Sequence, residues 1–206
     1  MKKLLLLACC LFFTIALWAD EGRYEAWYIN KNKDTSFGYI IAKNLDSLYF
    51  SALFENSDGS RIRLLPAQVK RFAINMLETW KIFTVLDLGE PTALKDSSTL
   101  IFAQVLNEEE NIRYYKYQYY KAKPGKYNYD MYVQGERAII TEHCLIKKGD
   151  VLRFQTNSLF HTTKKQLRAF FADCDAVLTS INQVKNVTEQ LPMIVKQYNR
   201  CKSKKN

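Results

Sequence analysis

An α+β fold is what this amino-acid sequence predicts: a twisted antiparallel β-sheet or half-barrel followed by a C-terminal helical hairpin. Three observations carry the prediction. Short runs rich in β-branched and aromatic residues, bounded by turn residues, fill positions 24–156. At residue 163 the apolar period changes to the three-and-four spacing of amphipathic helices. The chain is 48% hydrophobic and 14% aromatic, which supplies a core for one domain of this length.

The chain opens Met1-Lys2-Lys3 and is then apolar from Leu4 to Ala19, broken only by Thr14. Lysines ahead of an apolar stretch form a secretory signal, and Leu17-Trp18-Ala19 places a small residue at the cleavage position. The stretch is shorter than the roughly 20 residues of a comfortable membrane span. The reading is cleavage after Ala19, leaving 20–206 as a single mature domain outside the bacterial cytoplasm: periplasmic, at the cell surface, or released. An uncleaved anchor is one alternative. A lipoprotein signal at Leu6-Leu7-Ala8-Cys9 is another, against which apolar Leu11-Phe12-Phe13 follows the cysteines.

Strands are expected at 24–29, 37–42, 47–54, 61–65, 69–74, 79–88 and 100–106, as an antiparallel meander. Residues 112–121 and 127–134 flank Lys123-Pro124-Gly125-Lys126, whose Pro-Gly pair suits a type II turn and predicts a hairpin. Alternation then sets Tyr115, Tyr117 and Tyr119 on one face, with Tyr127 and Tyr129 on one face of the partner. That tyrosine face is either a stacking surface for sugar or peptide or a core hairpin with amphipathic edges. Strands at 138–147 and 151–154 follow, turning at Lys148-Gly149-Asp150.

The first helix carries Leu167, Phe170, Phe171, Cys174, Val177, Leu178 and Ile181 on one stripe, with Thr163 and Gln166 as a capping box. The second carries Leu191, Ile194, Val195, Tyr198 and Cys201, starting close to Pro192. The helical region spans about 163–202. Cys174 and Cys201 share the facing stripes of an antiparallel pair, so a disulfide between them is expected, two buried thiols being the alternative. Cys144 reads as a core strand residue.

Without Lys2 and Lys3 the formal charge falls from +9 to +7. The charges are dispersed, which suits solubility and allows peripheral contact with anionic surfaces. Lys202, Lys204 and Lys205 read as a solvated tail. Nucleic acid is not an expected partner outside the cell, and no recognition motif calls for it. His143 and Cys144 are strand neighbours pointing to opposite faces, so they form no direct dyad. His161 reads as solvated, and two histidines without ligand spacing give no zinc site. Glu108-Glu109-Glu110 reads as a solvated turn. No phosphate loop, nucleophile elbow or zinc-protease motif occurs, so no catalytic, metal or cofactor residue is assigned.

Further patterns run through the chain: Gly38-Tyr39-Ile40-Ile41 with Asp46-Ser47, then Leu167, Phe170, Phe171 and Asp173-Cys174, then Ile194-Val195 and Tyr198-Asn199. Together they resemble a group of uncharacterised exported proteins of Bacteroidetes-type bacteria. The resemblance implies export and this rough architecture, and no activity. Asp46-Ser47-Leu48 resembles the O-glycosylation acceptor of those bacteria; Ser47 opening a strand is the alternative.

The function these observations favour is a non-enzymatic binding or interaction module of the envelope, meeting a protein, glycan or lipid through its sheet. A carboxylate-based hydrolase and a carrier of a lipid or other apolar ligand are the alternatives. The export reading predicts that protein recovered from its host begins at Asp20. Mass spectrometry finding Met1, or lipid on Cys9, contradicts it.

Overall fold

The computed structural model describes residues 22–43, 45–89, 99–122, 126–128, 131–133, 137–155 and 160–203. The export segment and its cleavage position lie outside them. The described strands are β1 (Gly22–Asn30), β2 (Thr35–Ala42), β3 (Ala52–Asn56), β4 (Arg61–Leu64), β5 (Val69–Met76), β6 (Thr79–Asp87), β7 (Leu100–Glu109), β8 (Ile112–Ala122), β9 (Lys126–Asn128), β10 (Met131–Val133), β11 (Arg137–Lys147) and β12 (Asp150–Gln155). Ten of them form one antiparallel sheet in the order β12-β11-β8-β7-β6-β5-β1-β2-β3-β4, while β9 and β10 pair with each other. A 3-10 helix (Leu45–Tyr49) and three helices, α1 (Phe160–Phe170), α2 (Asp175–Gln183) and α3 (Val187–Ser203), complete the α+β architecture. Among the described residues no helix is long and apolar enough to cross a membrane.

The sheet is open but strongly curled. Arg153 on β12 donates from Nη1 to the carbonyl oxygen of Leu88, just past β6, at 3.3 Å. Three strands lie between β12 and β6 in the sheet order, so only a curl of the half-barrel kind brings these atoms together.

Two stretches differ from the sequence expectation. Residues 47–54 read as one strand, but Leu45–Tyr49 is a 3-10 helix and β3 starts at Ala52. Phe50 N–H donates to the Ser47 carbonyl at 3.1 Å. The turn drives Leu48 and Tyr49 into the core, where Tyr49 meets Phe83 edge-on at 5.8 Å. Burial of two large side chains outweighs the local β-propensity.

The second difference is the hairpin. β8 pairs with β11 over ten consecutive residues, from Ala122 opposite Arg137 to Arg113 opposite Ile146, and not with 127–134. β9 and β10 pair with each other, Asn128 opposite Met131. Residues 123–125 themselves lie outside the described residues. The observed register sets Cys144 opposite Tyr115 and Leu145 opposite Tyr114, buried against buried on both faces. A hairpin turning at Pro124-Gly125 would instead set Gln134 opposite Tyr115 and Gly135 opposite Tyr114, so long-range burial overrides the local turn preference.

The helical region has three helices where a hairpin of two was expected. The apolar stripe continues through Phe171, Cys174 and Val177, all buried, but the backbone leaves the helix at 171–174. Cys174 is extended, with φ −146° and ψ 98°, and precedes α2 as its N-cap. The break frees Asp173 to join the helices to the sheet. Its carboxylate accepts from the Tyr198 hydroxyl at 2.9 Å and lies 2.7 Å from Lys202 and 3.5 Å from Lys147 on β11. Burial opposes its ionisation, yet the bonds from Lys202 and Tyr198 and the two lysine charges outweigh this and pull it down to about 2. Lys202 is therefore a structural residue and not part of a solvated tail. Thr163 is buried inside α1, so it does not cap that helix. Pro192 lies inside α3, which starts earlier because the Asn186 side chain accepts from Glu189 N–H at 3.5 Å.

Two buried clusters result. One gathers Ile40, Phe54, Phe72, Phe83 and Phe102 with Leu48 and Tyr49, and extends to Tyr115, Tyr117 and Cys144. The other packs Leu167, Phe171, Val177, Ile181, Leu191, Ile194, Val195 and Tyr198 against Ile112, Tyr114, Leu145 and Phe154 of the sheet.

Cys174 and Cys201 form the expected disulfide, with Cα atoms 6.5 Å apart, and Cys144 is free and buried. Replacing both bonded cysteines by serine should lower stability by about 2–4 kcal/mol in urea titration. Burial pushes the Cys144 thiol up to about 11, so it should stay unlabelled by thiol reagents until the chain unfolds. Equal stability of the variant, or rapid labelling of the native protein, contradicts this.

Candidate ligand-binding site

The tyrosines singled out by alternation sit on β8 and share a face, as expected. That face is turned into the curl of the sheet. Tyr115 and Tyr117 are buried and Tyr119 is half-buried, so the core reading describes the first two. The Tyr127 side chain and Tyr129 lie outside the described residues. Tyr117 donates to Glu142 Oε2 at 2.5 Å and Tyr119 to Glu142 Oε1 at 2.9 Å, with Gln155 Nε2 3.3 Å from the Tyr119 oxygen. Burial, and then the bond and charge of Glu142, hold the Tyr117 hydroxyl protonated far above its ordinary range.

Beside this network the curl encloses a pocket of about 320 Å³. Val85, Leu86, Leu88, Ile146 and Val151 give it apolar walls; Tyr115 and Cys144 also line it, and Asp87, Glu108, Arg113 and Arg153 add polar groups. Five strands contribute, because the curl brings β12 towards β6. This juxtaposition was not legible in the sequence, where Leu88 and Arg153 are far apart.

The polar groups of the pocket are engaged. Glu108 is not in a solvated turn: it lies in β7, one residue before its end, and both its oxygens accept from Arg71 Nη2, at 2.7 and 2.8 Å. The Asp87 carboxyl is held below its usual range by the Thr99 hydroxyl and then by Gly89 N–H. A carboxylate hydrolase needs one carboxyl kept protonated as the acid. Asp87 is held ionised and Glu108 is committed to Arg71, so neither is placed for that task. Among the described residues no group of three or more His, Cys, Asp or Glu side chains is arranged to hold a metal ion.

His143 faces the other side of the sheet from Cys144. It shares a 2.7 Å hydrogen bond with the Tyr114 hydroxyl and stacks on Phe154, ring centres 5.4 Å apart. The His161 side chain lies outside the described residues. Ser47, in the 3-10 helix, is exposed and does not open a strand. Comparison with known families, with curated proteins and with solved structures finds no match to this chain.

Burial, and then the charge of Lys116, push the His143 imidazole down to about 4. The unfolded chain takes up this proton near pH 6.5, and the folded chain refuses it until about pH 4. Stability from this group is therefore complete above about pH 6.5 and is lost as pH falls towards 4, by at most about 1.4 kcal/mol per pH unit. Urea titrations between pH 7.5 and 4.5 should show wild type losing stability relative to His143→Gln across that window. Parallel pH profiles contradict the assignment.

Proposed function

We propose that this chain is an exported, non-enzymatic binding protein that holds a small amphipathic ligand in the pocket of its curled sheet. The pocket carries the reading: it is a concave site in which apolar side chains of Val85, Leu86, Leu88, Ile146 and Val151 alternate with at least as much polar surface from Asp87, Glu108, Arg113 and Arg153, a combination that can both enclose and orient a small molecule. Its size, about 320 Å³, is at the low end for such sites and suits a small molecule better than a two-chain lipid. Export rests on the N-terminal signal pattern and the resemblance to exported Bacteroidetes-type proteins, and the Cys174–Cys201 disulfide fits an oxidising compartment.

The test uses the purified protein and the apolar fluorophore 1-anilinonaphthalene-8-sulfonate. One saturable site is expected. Val151→Trp, at a lining position 58% exposed and so tolerant of change, should weaken it at least tenfold with the fold intact. Absence of saturable binding, or unchanged binding by the variant, contradicts the reading.

A further inference from the structure

Outside the pocket lining, the sheet carries aromatic side chains that its core does not use. In β1, β2, β5 and β6, Tyr28, Ile40, Phe72, Ile74 and Phe83 pack into the interior. The alternate residues face the other way. Trp27 lies opposite Phe37 on one side and Ala73 on the other, and Ala73 lies opposite Ile82. Two residues along, Tyr39 lies opposite Glu25, and Trp80 opposite Asn75. Asn75 Nδ2 donates to Glu25 Oε2 at 3.0 Å, which joins these pairs into a second band beside the first. Phe37 is 72% exposed and Trp80 42%. The second band crosses three strand spacings, about 14 Å.

The charges at the edge of this surface are satisfied among themselves. Arg23 and Arg61 both donate to Glu55, at 2.9 and 2.8 Å, and the Arg23 guanidinium lies 3.6 Å from the centre of the Tyr39 ring. The Arg23 guanidinium covers one face of the Tyr39 ring. Only with Glu25 do the local charges balance, Arg23 and Arg61 against Glu55 and Glu25, which leaves this patch little field to draw a charged polymer. What remains is exposed aromatic area, at Phe37 and Trp80, interleaved with a carboxylate and an amide. An acyl chain would use the rings and strand the polar groups. A neutral sugar chain uses both, since each ring has apolar C–H faces and a rim of hydroxyls.

We propose that the outer face of β1, β2, β5 and β6 is a carbohydrate-binding platform for an extended, uncharged glycan, stacked on Trp27, Phe37 and Trp80 and hydrogen-bonded by Glu25 and Asn75. The surface is separate from the pocket, so either can fail alone.

Purified protein is titrated with the neutral hexasaccharides of the cello-, xylo-, manno-, malto- and chito- series, following tryptophan fluorescence and heat. Saturable binding of at least one is expected. Phe37→Ala and Trp80→Ala, at exposed positions and so retaining the wild-type melting temperature, should each weaken it at least tenfold. Val151→Trp should leave it unchanged. Failure of the whole series to bind overturns the proposal. So does binding that survives Phe37→Ala and Trp80→Ala, or self-association in gel filtration that Phe37→Ala abolishes while no sugar binds.

Discussion

The structure depends on the register between β8 and β11. Ten consecutive pairs fix which side chains of these strands face the helices and which face the curl. Ile112, Tyr114 and Leu145 go to the helical side; Tyr115, Tyr117 and Cys144 go to the other. Because strand side chains alternate, a slip of one residue would exchange the two sets. Glu142 and Lys116 would then face apolar neighbours, and His143 would lose its place beside Tyr114 and Phe154. Both cores and the pocket inherit this one alignment.

The helices add a second constraint at one end of the sheet. The Cys174–Cys201 bond ties the start of α2 to the last turn of α3, and Asp173 ties the same corner to Lys147 of β11. Lys147 also donates to the carbonyl oxygen of Phe170 at the end of α1. A covalent link and a cluster of ion pairs thus meet where three helices leave the sheet. The apolar stripe alone would allow the helices to slide; these directional contacts set their depth. With this side covered, the opposite face curls on itself until Arg153 meets Leu88, and the pocket is what the curl encloses.

Much of this was legible in the sequence. Alternation located nearly all strands, and the change of period at residue 163 located the helices. The placement of Cys174 and Cys201 on the helical stripes foretold their bond. Elements set by distant contacts were not legible. Pro124-Gly125 is a sound local turn signal, but the β8–β11 ladder settles the pairing. Leu48 and Tyr49 look like strand residues until a core needs them. The break at 171–174 is invisible in an unbroken apolar stripe, although Asp173 beside Cys174 marks it in hindsight. The tyrosine alternation was right, but it left a surface and a core reading open; burial of Tyr115 and Tyr117 takes the core one, because a curl turns a face inward without changing the pattern. Trp27, Phe37 and Trp80 carry no local signal of a shared surface, because they are ordinary strand residues in sequence and only cross-strand register brings them together.

The pocket and the outer aromatic surface belong to one sheet, held in one shape by the same pairing. The most direct test of that shape is a map of backbone nuclear Overhauser contacts across β8. The account predicts cross-strand contacts between Tyr115 and Cys144 and between Tyr117 and Glu142. Contacts joining 112–121 to 127–134 would instead restore a hairpin closed at Pro124-Gly125 and contradict the account.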